Sequence, residues 1–528
     1  MTNKEQTPIS NKKHRRTINA RFLWLISVIS GIVFFITFLR TPLFPLKWSL
    51  IILVVLVVLF SLTFLLSVKT KPRNLFTKII NIVLCIVLLI GSIVIPYEVD
   101  KISGLFNQVV NQKMVINVYC MSDDYAKTNG FTDVYQYDTD NNGMVAQLSS
   151  LKDAKFITSM TQDRDNTTYA ISELNKEFGG KVNEVDRESF IDAAQSLYTH
   201  EGDFMVMPAS YQAVLEDSST YTNFVKDTKI VYSFTREMQE TESTVKGDTT
   251  LTAKPFTIFI GGNDETGDLS TNGRTDVCMI VTVNPNTNQC AIINLPRDSY
   301  VSNPYYGKGD SSYDKLTHLG LKGIDNTLKG LESYLDEPMN NYVILNFDTF
   351  EAIIRAFHGI TVNNPYAFDA IDGQHFDEGE INLNSAAALM YVRERDNLPD
   401  GDFGRNMHQQ IVMSSIIDTI TSPEGILKFN TMLDYIKGEF LSNISLNALY
   451  GLVNKQLNDG RSWNIVKYHV LGETGYEECA SAPGEKLSVV YPYPNQVQYV
   501  KQVMDQVDAG DSLEQEELPE GKYNNSSK

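Results

Sequence analysis

Cysteine is scarce in this chain: five in 528 residues, namely Cys85, Cys120, Cys278, Cys290 and Cys479. None forms a CxxC pair and no His/Cys group has zinc-ligand spacing. That removes zinc-ribbon, thioredoxin-like and disulfide-stapled readings. Cys85 sits inside an apolar run, and mirroring the apparent hairpin at 277–295 about Asn286 sets Cys278 opposite about residue 294 rather than Cys290. The thiols are therefore expected to be free and mostly buried. Positive charge is also lacking over most of the length. Residues 1–100 hold twelve Lys/Arg against three Asp/Glu, a net of +9, so a total of −19 leaves −28 for the remaining 428 residues. Such a body repels a polyanion, which excludes general nucleic-acid binding. No internal repeat is visible, so a solenoid is excluded as well.

What is present first is apolar. Runs at 22–39, 49–68 and 79–96 contain no charged residue. Each is close to the ~20 residues that cross a hydrocarbon core. Lys12, Lys13, Arg15, Arg16 and Arg21 precede the first run, and Lys69, Lys71, Arg73 and Lys78 flank the link between the second and third. Only Arg40 and Lys47 flank the other link. The positive-inside bias puts the N-terminus and the second link in the cytoplasm, and everything after about residue 97 outside the cell membrane. The expected organisation is a cytoplasmic tail (1–21), three spans in the lipid bilayer (22–99), an extracellular α/β accessory domain (100–252), a second α/β unit (253–508) and a disordered acidic tail (509–528).

Within the accessory region, 114–120, 204–207 and 228–234 read as strands, and 168–178 and 187–198 as helices. A polar linker at 237–252 follows. In the second unit, 256–260, 277–283, 289–295 and 341–347 read as strands. Helices are expected at 348–357, 384–390, 406–420, 427–437, 446–457 and 496–507, with 391–395 extended.

Ten arginines lie beyond residue 100, and five of them fall in three short segments: Gly273-Arg274-Thr275-Asp276, Leu295-Pro296-Arg297-Asp298, and Tyr391-Val392-Arg393-Glu394-Arg395 with Gly401-Asp402-Phe403-Gly404-Arg405. On strands, Arg274 with Asp276 and Arg393 with Arg395 would each share a face. Arg405 and Gln409 would share the first turns of a helix, whose N-terminus favours an anion. Guanidinium groups converge only around an anion, and their planar fork suits phosphate. A pyrophosphate is the natural guest. Asp264 and Asp276 would suit Mg²⁺, which takes one or two carboxylates and completes its shell with phosphate oxygens and water. Ordinary salt bridges to Glu394, Asp396 and Asp402 would use the same arginines. Lys315 and His318 either reach the phosphates or stand on the surface, and the Gly/Tyr-rich loop 303–313 is expected beside the cleft.

These segments resemble the LytR-CpsA-Psr (LCP) family. The match runs in order through Gly261-Gly262-Asn263-Asp264, Arg274-Thr275-Asp276, Thr282-Val283-Asn284-Pro285, Leu295-Pro296-Arg297-Asp298 and Lys315-Leu316-Thr317-His318. It continues through Asn346-Phe347-Asp348, Gly359-Ile360-Thr361-Val362, the Arg393/Arg395 segment and Arg405 with Gln409-Gln410. The resemblance implies an α/β/α sandwich over 253–508 with a long apolar pocket for a lipid tail. It also implies a phosphotransferase that moves a glycopolymer from a polyprenyl-pyrophosphate carrier to peptidoglycan. Asp264 and Asp276 would hold Mg²⁺; Arg274, Arg297, Arg393, Arg395, Arg405 and Gln409 would surround the pyrophosphate; Asp276 or Asp298 would accept the proton of the attacking hydroxyl. The three spans and the extra domain look like the capsule-associated CpsA branch, which makes capsular polysaccharide the expected cargo. One departure is His408, where the family often carries Arg. A polyprenyl-pyrophosphate hydrolase would use the same residues, and a non-enzymatic envelope regulator is the third alternative.

Overall fold

The computed structural model describes residues 19–40, 46–69, 75–106, 113–132, 134–237, 247, 251–263, 273–307, 309, 312–399, 401–436 and 440–522. Asp264, the basic residues before residue 19, most of the expected linker and the last six residues lie outside that set. The chain divides into two compact units, residues 1–104 and 105–528.

The first unit consists of helices Ala20–Arg40, Leu46–Lys69 and Leu75–Phe106, which contain the three apolar runs. All three are long and apolar enough to cross a membrane. Their outward faces are large and apolar (Leu50, Val54, Val58, Val83 and Val87 among them), as a lipid solvent requires. Small and polar side chains mediate the contacts between helices. The Trp24 indole donates to the Phe60 carbonyl at 3.0 Å, and the Ser27 hydroxyl donates to Asn81 Oδ1 at 3.2 Å. A Cβ on Gly31 would stand 2.3 Å from the Phe60 ring, so glycine permits this close approach.

The second unit is built on two large sheets, with four two-stranded pairs beside them among the described residues. The accessory sheet has the order Asn183–Asp186, Lys155–Thr158, Phe204–Pro208, Lys113–Met121, Thr228–Glu237. Helix Arg164–Phe178 packs on it, started by Asp163, whose side chain accepts from the Asn166 amide, and ended by Gly179 in the left-handed conformation. Phe156, Phe204 and Leu174 close this core without exposure.

The larger sheet has six strands in the order Phe440–Ser442, Asn341–Leu345, Phe256–Gly262, Val277–Asn284, Gln289–Asn294, Asn464–His469. The expected hairpin forms, with Cys278 facing one side and Cys290 the other, and all five cysteines are free. Alternation sends Cys278, Ile280, Ala291 and Ile293 towards helices Ile324–Leu335 and Pro494–Ala509. It sends Met279, Val281, Cys290 and Ile292 towards helix Asp402–Thr421 through Met413 and Ile417. Helices cover both faces, giving the α/β/α sandwich.

The accessory domain is fused to this sandwich by an apolar seam. Tyr211, Val214 and Leu215 share one core cluster with Leu321, Leu487 and Val489. The Gln162 amide donates to the Ser481 carbonyl at 2.6 Å across the same seam.

Three expectations are corrected. Residues 391–393 are not extended but complete helix Ser385–Arg393; the chain becomes extended only at the cap, Glu394. Arg274 and Asp276 precede strand Val277–Asn284 rather than lying in it. The tail is ordered to residue 522: Leu513 is buried in the main core, and Gln515 accepts from the Lys467 amide at 2.7 Å.

Candidate active site

Strands Phe256–Gly262 and Asn341–Leu345 run parallel and end together, Gly262 beside Leu345. Ligands of open α/β sheets bind outside such carboxyl ends, and a cavity of about 250 Å³ opens here. Its floor is Ile260–Asn263 and Leu345–Phe347; Asp276, Arg393, Arg405, Gln409 and Met413 form its walls. The two glycines are required by crowding: a Cβ on Gly261 would stand 2.6 Å from Ile344, and one on Gly262 would stand 2.6 Å from Val277.

Backbone bonds bring the motif segments together. The Asp276 amide donates to the Gly262 carbonyl at 2.7 Å, the Thr275 amide to Thr317 at 3.2 Å, and the Thr317 amide to Arg297 at 2.8 Å. Arg393 ends its helix with its guanidinium 4.8 Å from the Phe347 ring centroid. Arg405 and Gln409 enter from successive turns of helix Asp402–Thr421, on the one face that their spacing requires. The Gln409 amide donates to the Val392 carbonyl at 3.5 Å, while its buried Oε1 finds no donor among the described residues.

The predicted residues therefore divide. Asp276, Arg393, Arg405 and Gln409 line the cavity. Arg297 stands behind Asp276, donating from Nη1 to Oδ1 at 2.5 Å, with its Nε 3.8 Å from Asp298. Asp298 also faces Lys315 at 3.4 Å and does not line the cavity. Arg274 is turned from the cavity to Asp217, 3.4 Å away. Arg395 is not on the cavity: its side chain is 57% exposed and stands 3.9 Å from Asp396, the bland pairing that the residue types also allowed. The shared strand faces foreseen for Arg274/Asp276 and Arg393/Arg395 do not exist, because neither pair lies in a strand. Asp264 lies outside the described residues. Among those described, no group of three His, Cys, Asp or Glu side chains could hold a metal. Asp276 alone, one carboxylate beside the cavity's arginines, matches the sparse protein ligation of Mg²⁺.

Lys315 and His318 are buried, not surface groups. Asp217 joins them, and no motif marked it. Its carboxylate faces Lys315 Nζ at 2.9 Å, His318 Nε2 at 3.6 Å and Arg274 Nη1 at 3.4 Å. Burial would raise this carboxyl, but His318, Lys315 and Arg274 outweigh it and hold Asp217 far below the usual carboxylate range. Burial likewise opposes charge on His318, yet Asp314 at 2.9 Å and Asp217 raise its pKa above the ordinary value. His408 behaves oppositely. Stacked on Tyr391 at 4.0 Å and on Phe368 at 4.9 Å, with Nδ1 donating to the Tyr391 carbonyl at 3.1 Å, it is pushed by burial down to about 4. It fills a neutral aromatic core and offers nothing to a phosphate. The described part of loop 303–313 borders the accessory seam rather than the cavity: the Tyr306 hydroxyl lies 3.4 Å from that of Tyr211.

A second cavity of about 240 Å³ lies on the same side of the sheet, lined by Phe256, Ile258, Val281, Ile417, Leu449, Leu452 and other apolar side chains, with Gln456 the one polar residue on its wall. Ile260 belongs to both cavities. A core that merely packs leaves few voids larger than a water molecule.

A family model described as the LytR_cpsA_psr family matches residues 219–489. The similar curated relatives include the polyisoprenyl-teichoic acid–peptidoglycan teichoic acid transferase TagU of Bacillus licheniformis, 32% identical over 241 residues, which are 45% of this chain and 72% of the relative. TagU of Bacillus subtilis (strain 168) is 34% identical over 223 residues, 42% of this chain and 69% of the relative. A crystal structure of B. subtilis TagV aligns at 27% identity with a TM-score of 0.41, covering 49% of this chain and 99% of that one. The matched segment begins at residue 219, ahead of the boundary at 253 that the linker suggested. This chain belongs to the LytR_cpsA_psr family.

Proposed function

We propose that this protein transfers a glycopolymer from a polyprenyl-pyrophosphate carrier to peptidoglycan at the outer face of the membrane. The observation that carries the reading is the meeting, at Ile260, of a mixed cavity holding the charged and polar side chains Arg393, Arg405, Gln409 and Asp276 with a second that is almost wholly apolar. A ligand that suits both has a doubly charged head and a greasy tail. Each CH₂ of that tail buried in the apolar cavity contributes ~0.8 kcal/mol. The relatives' names, as teichoic acid–peptidoglycan transferases, support the reaction type. The three apolar helices and the basic residues flanking them support an anchored enzyme with its second unit outside.

In this reading Arg393 and Arg405 grip the pyrophosphate, and Arg297 supports them through Asp276. A peptidoglycan hydroxyl attacks the glycan-proximal phosphorus. A new O–P bond forms, the bridging P–O bond breaks, and polyprenyl phosphate leaves. The hydroxyl proton passes to a carboxylate, and Asp276 is better supported than Asp298 because it lines the cavity. Mg²⁺, held by Asp276 and Asp264, would neutralise charge on the phosphates. Arginine side chains aimed at the transferring group stabilise charge as it develops. The cargo is a cell-wall glycopolymer; the three-helix anchor and accessory domain favour capsular polysaccharide over the teichoic acid of the named relatives.

Membrane vesicles supplied with peptidoglycan and lipid-linked glycan test this. Glycan should become covalently bound to peptidoglycan with the wild type and not with Arg297→Ala. Glycan released to water would indicate a hydrolase instead, and full transfer by Arg297→Ala would remove the site. A second unit protected from protease on intact cells would contradict the outward placement.

A further inference from the structure

The Asp217 carboxylate comes from the accessory domain, at the end of the short helix Gln212–Glu216. It lies two residues ahead of the family-matched segment, 219–489. Its three cationic neighbours all come from the catalytic sandwich. Lys315 and His318 are 4% and 0% exposed, so solvent does not screen them. The helix that carries Asp217 is anchored from below, since Val214 and Leu215 are buried in the apolar seam with Leu321 and Leu487. Asp217 therefore stands at a fixed point against the sandwich.

Two arginines depend on that point. Arg274 reaches Asp217 through Nη1 alone, at the long end of a hydrogen bond. That leaves most of its guanidinium donors for another anion. Lys315 is shared between Asp217 at 2.9 Å and Asp298 at 3.4 Å, and Asp298 in turn faces Arg297. Without the Asp217 charge, Lys315 would draw on Asp298 alone, at the expense of Arg297, and Arg274 would lose its paired carboxylate.

Resting on the proposed pyrophosphate-binding function, we propose that Asp217 is a positioning residue: the accessory domain supplies the carboxylate that holds Arg274 and sets how Lys315 and Asp298 share charge beside Arg297. The accessory domain is then part of the catalytic unit and not a spacer between membrane and enzyme.

The test uses the full chain in detergent with Mg²⁺ and geranylgeranyl pyrophosphate as the probe, measuring its binding and the phosphate released from it. Asp217→Asn keeps the shape and removes the charge; Arg274→Gln removes the other partner. Each should weaken probe binding about tenfold, and the double variant should be no worse than the weaker-binding single, since the two act as one unit. A purely structural role would make the losses multiply. Melting curves follow folding. Should Asp217→Asn not fold, Asp217→Glu replaces it: the charge stays but moves by a methylene, so binding should hold within about threefold while turnover falls about tenfold or more. Multiplying losses, an Asp217→Asn variant with wild-type affinity, or an Asp217→Glu variant with wild-type turnover would overturn the assignment alone. A wild type that does not bind the probe would overturn the reading of the site and this inference with it.

Discussion

Enlarging a side chain on the wall of the apolar cavity separates a lipid channel from an ordinary core. Val453, half-buried on helix Leu446–Asp459, lines that cavity of about 240 Å³. Val453→Phe adds roughly 50 Å³. In a close-packed core such a change forces rotamers and backbone apart and costs about 1–3 kcal/mol. In an open channel it fills space instead. At about 24 cal/mol per Å³ of cavity removed, the gain is at most about 1.2 kcal/mol. The sign of the stability change is thus diagnostic, and chemical denaturation of the apoprotein reads it. The same 50 Å³ displaces about two methylenes of a bound tail. At ~0.8 kcal/mol each, that is roughly a fifteenfold loss of affinity for a long-chain polyprenyl phosphate. A short-chain analogue whose tail stops before Val453 should lose nothing. Destabilisation together with undiminished long-chain binding would refute the channel.

Other predictions follow from the same geometry. Arg393→Ala removes a charge-assisted contact worth about 1.5–3 kcal/mol and should weaken pyrophosphate binding by roughly 10- to 150-fold. Arg395→Ala breaks only an exposed pair worth about 0–1 kcal/mol, so calorimetry on the two variants should give very different losses. His318 has a raised pKa, so its stabilisation is complete below its ordinary value of 6.5 and disappears as pH climbs through the raised one. Urea unfolding at about pH 6 and pH 9 should therefore show the wild type losing more stability than His318→Gln. An equal loss would mean that Asp314 and Asp217 do not stabilise the protonated form of His318. His408, with its pKa lowered to about 4, acts in the other direction: its neutral packing is progressively lost from about pH 6.5 down to about 4, and His408→Phe should flatten that acid limb.

Much of the architecture is written in local pattern. The hairpin 277–294 reads as two almost unbroken apolar runs about a polar turn, as strands buried on both faces do, and it and the helix carrying Arg405 and Gln409 appear where expected. Tyr391-Val392-Arg393 misleads because Tyr and Val favour strands, whereas burial of Tyr391 against Phe368 and His408, with Val392 buried beside the cavity, goes with a helix. That single turn takes Arg393 into the cavity and leaves Arg395 outside. The tail reads as disordered from its acidic composition, yet Leu513 and Leu518 pack on the core and the Leu513 amide donates to Gln289 at 2.8 Å, contacts that a composition average does not register. Asp217 had no signal in local pattern. It is 57 residues from Arg274 and 98 from Lys315, and local periodicity carries no information about a pair formed across a domain seam. Its one hint is chemical: buried Lys315 and His318 need an anion, and the nearest motif acids are already engaged.

Native mass spectrometry of the full chain, extracted gently from membranes, would show whether the two cavities hold a lipid pyrophosphate. One polyprenyl phosphate or pyrophosphate per chain is expected, retained by the wild type and reduced in both Arg393→Ala and Val453→Phe. A chain that carries only bulk phospholipid, equally in all three proteins, would contradict it.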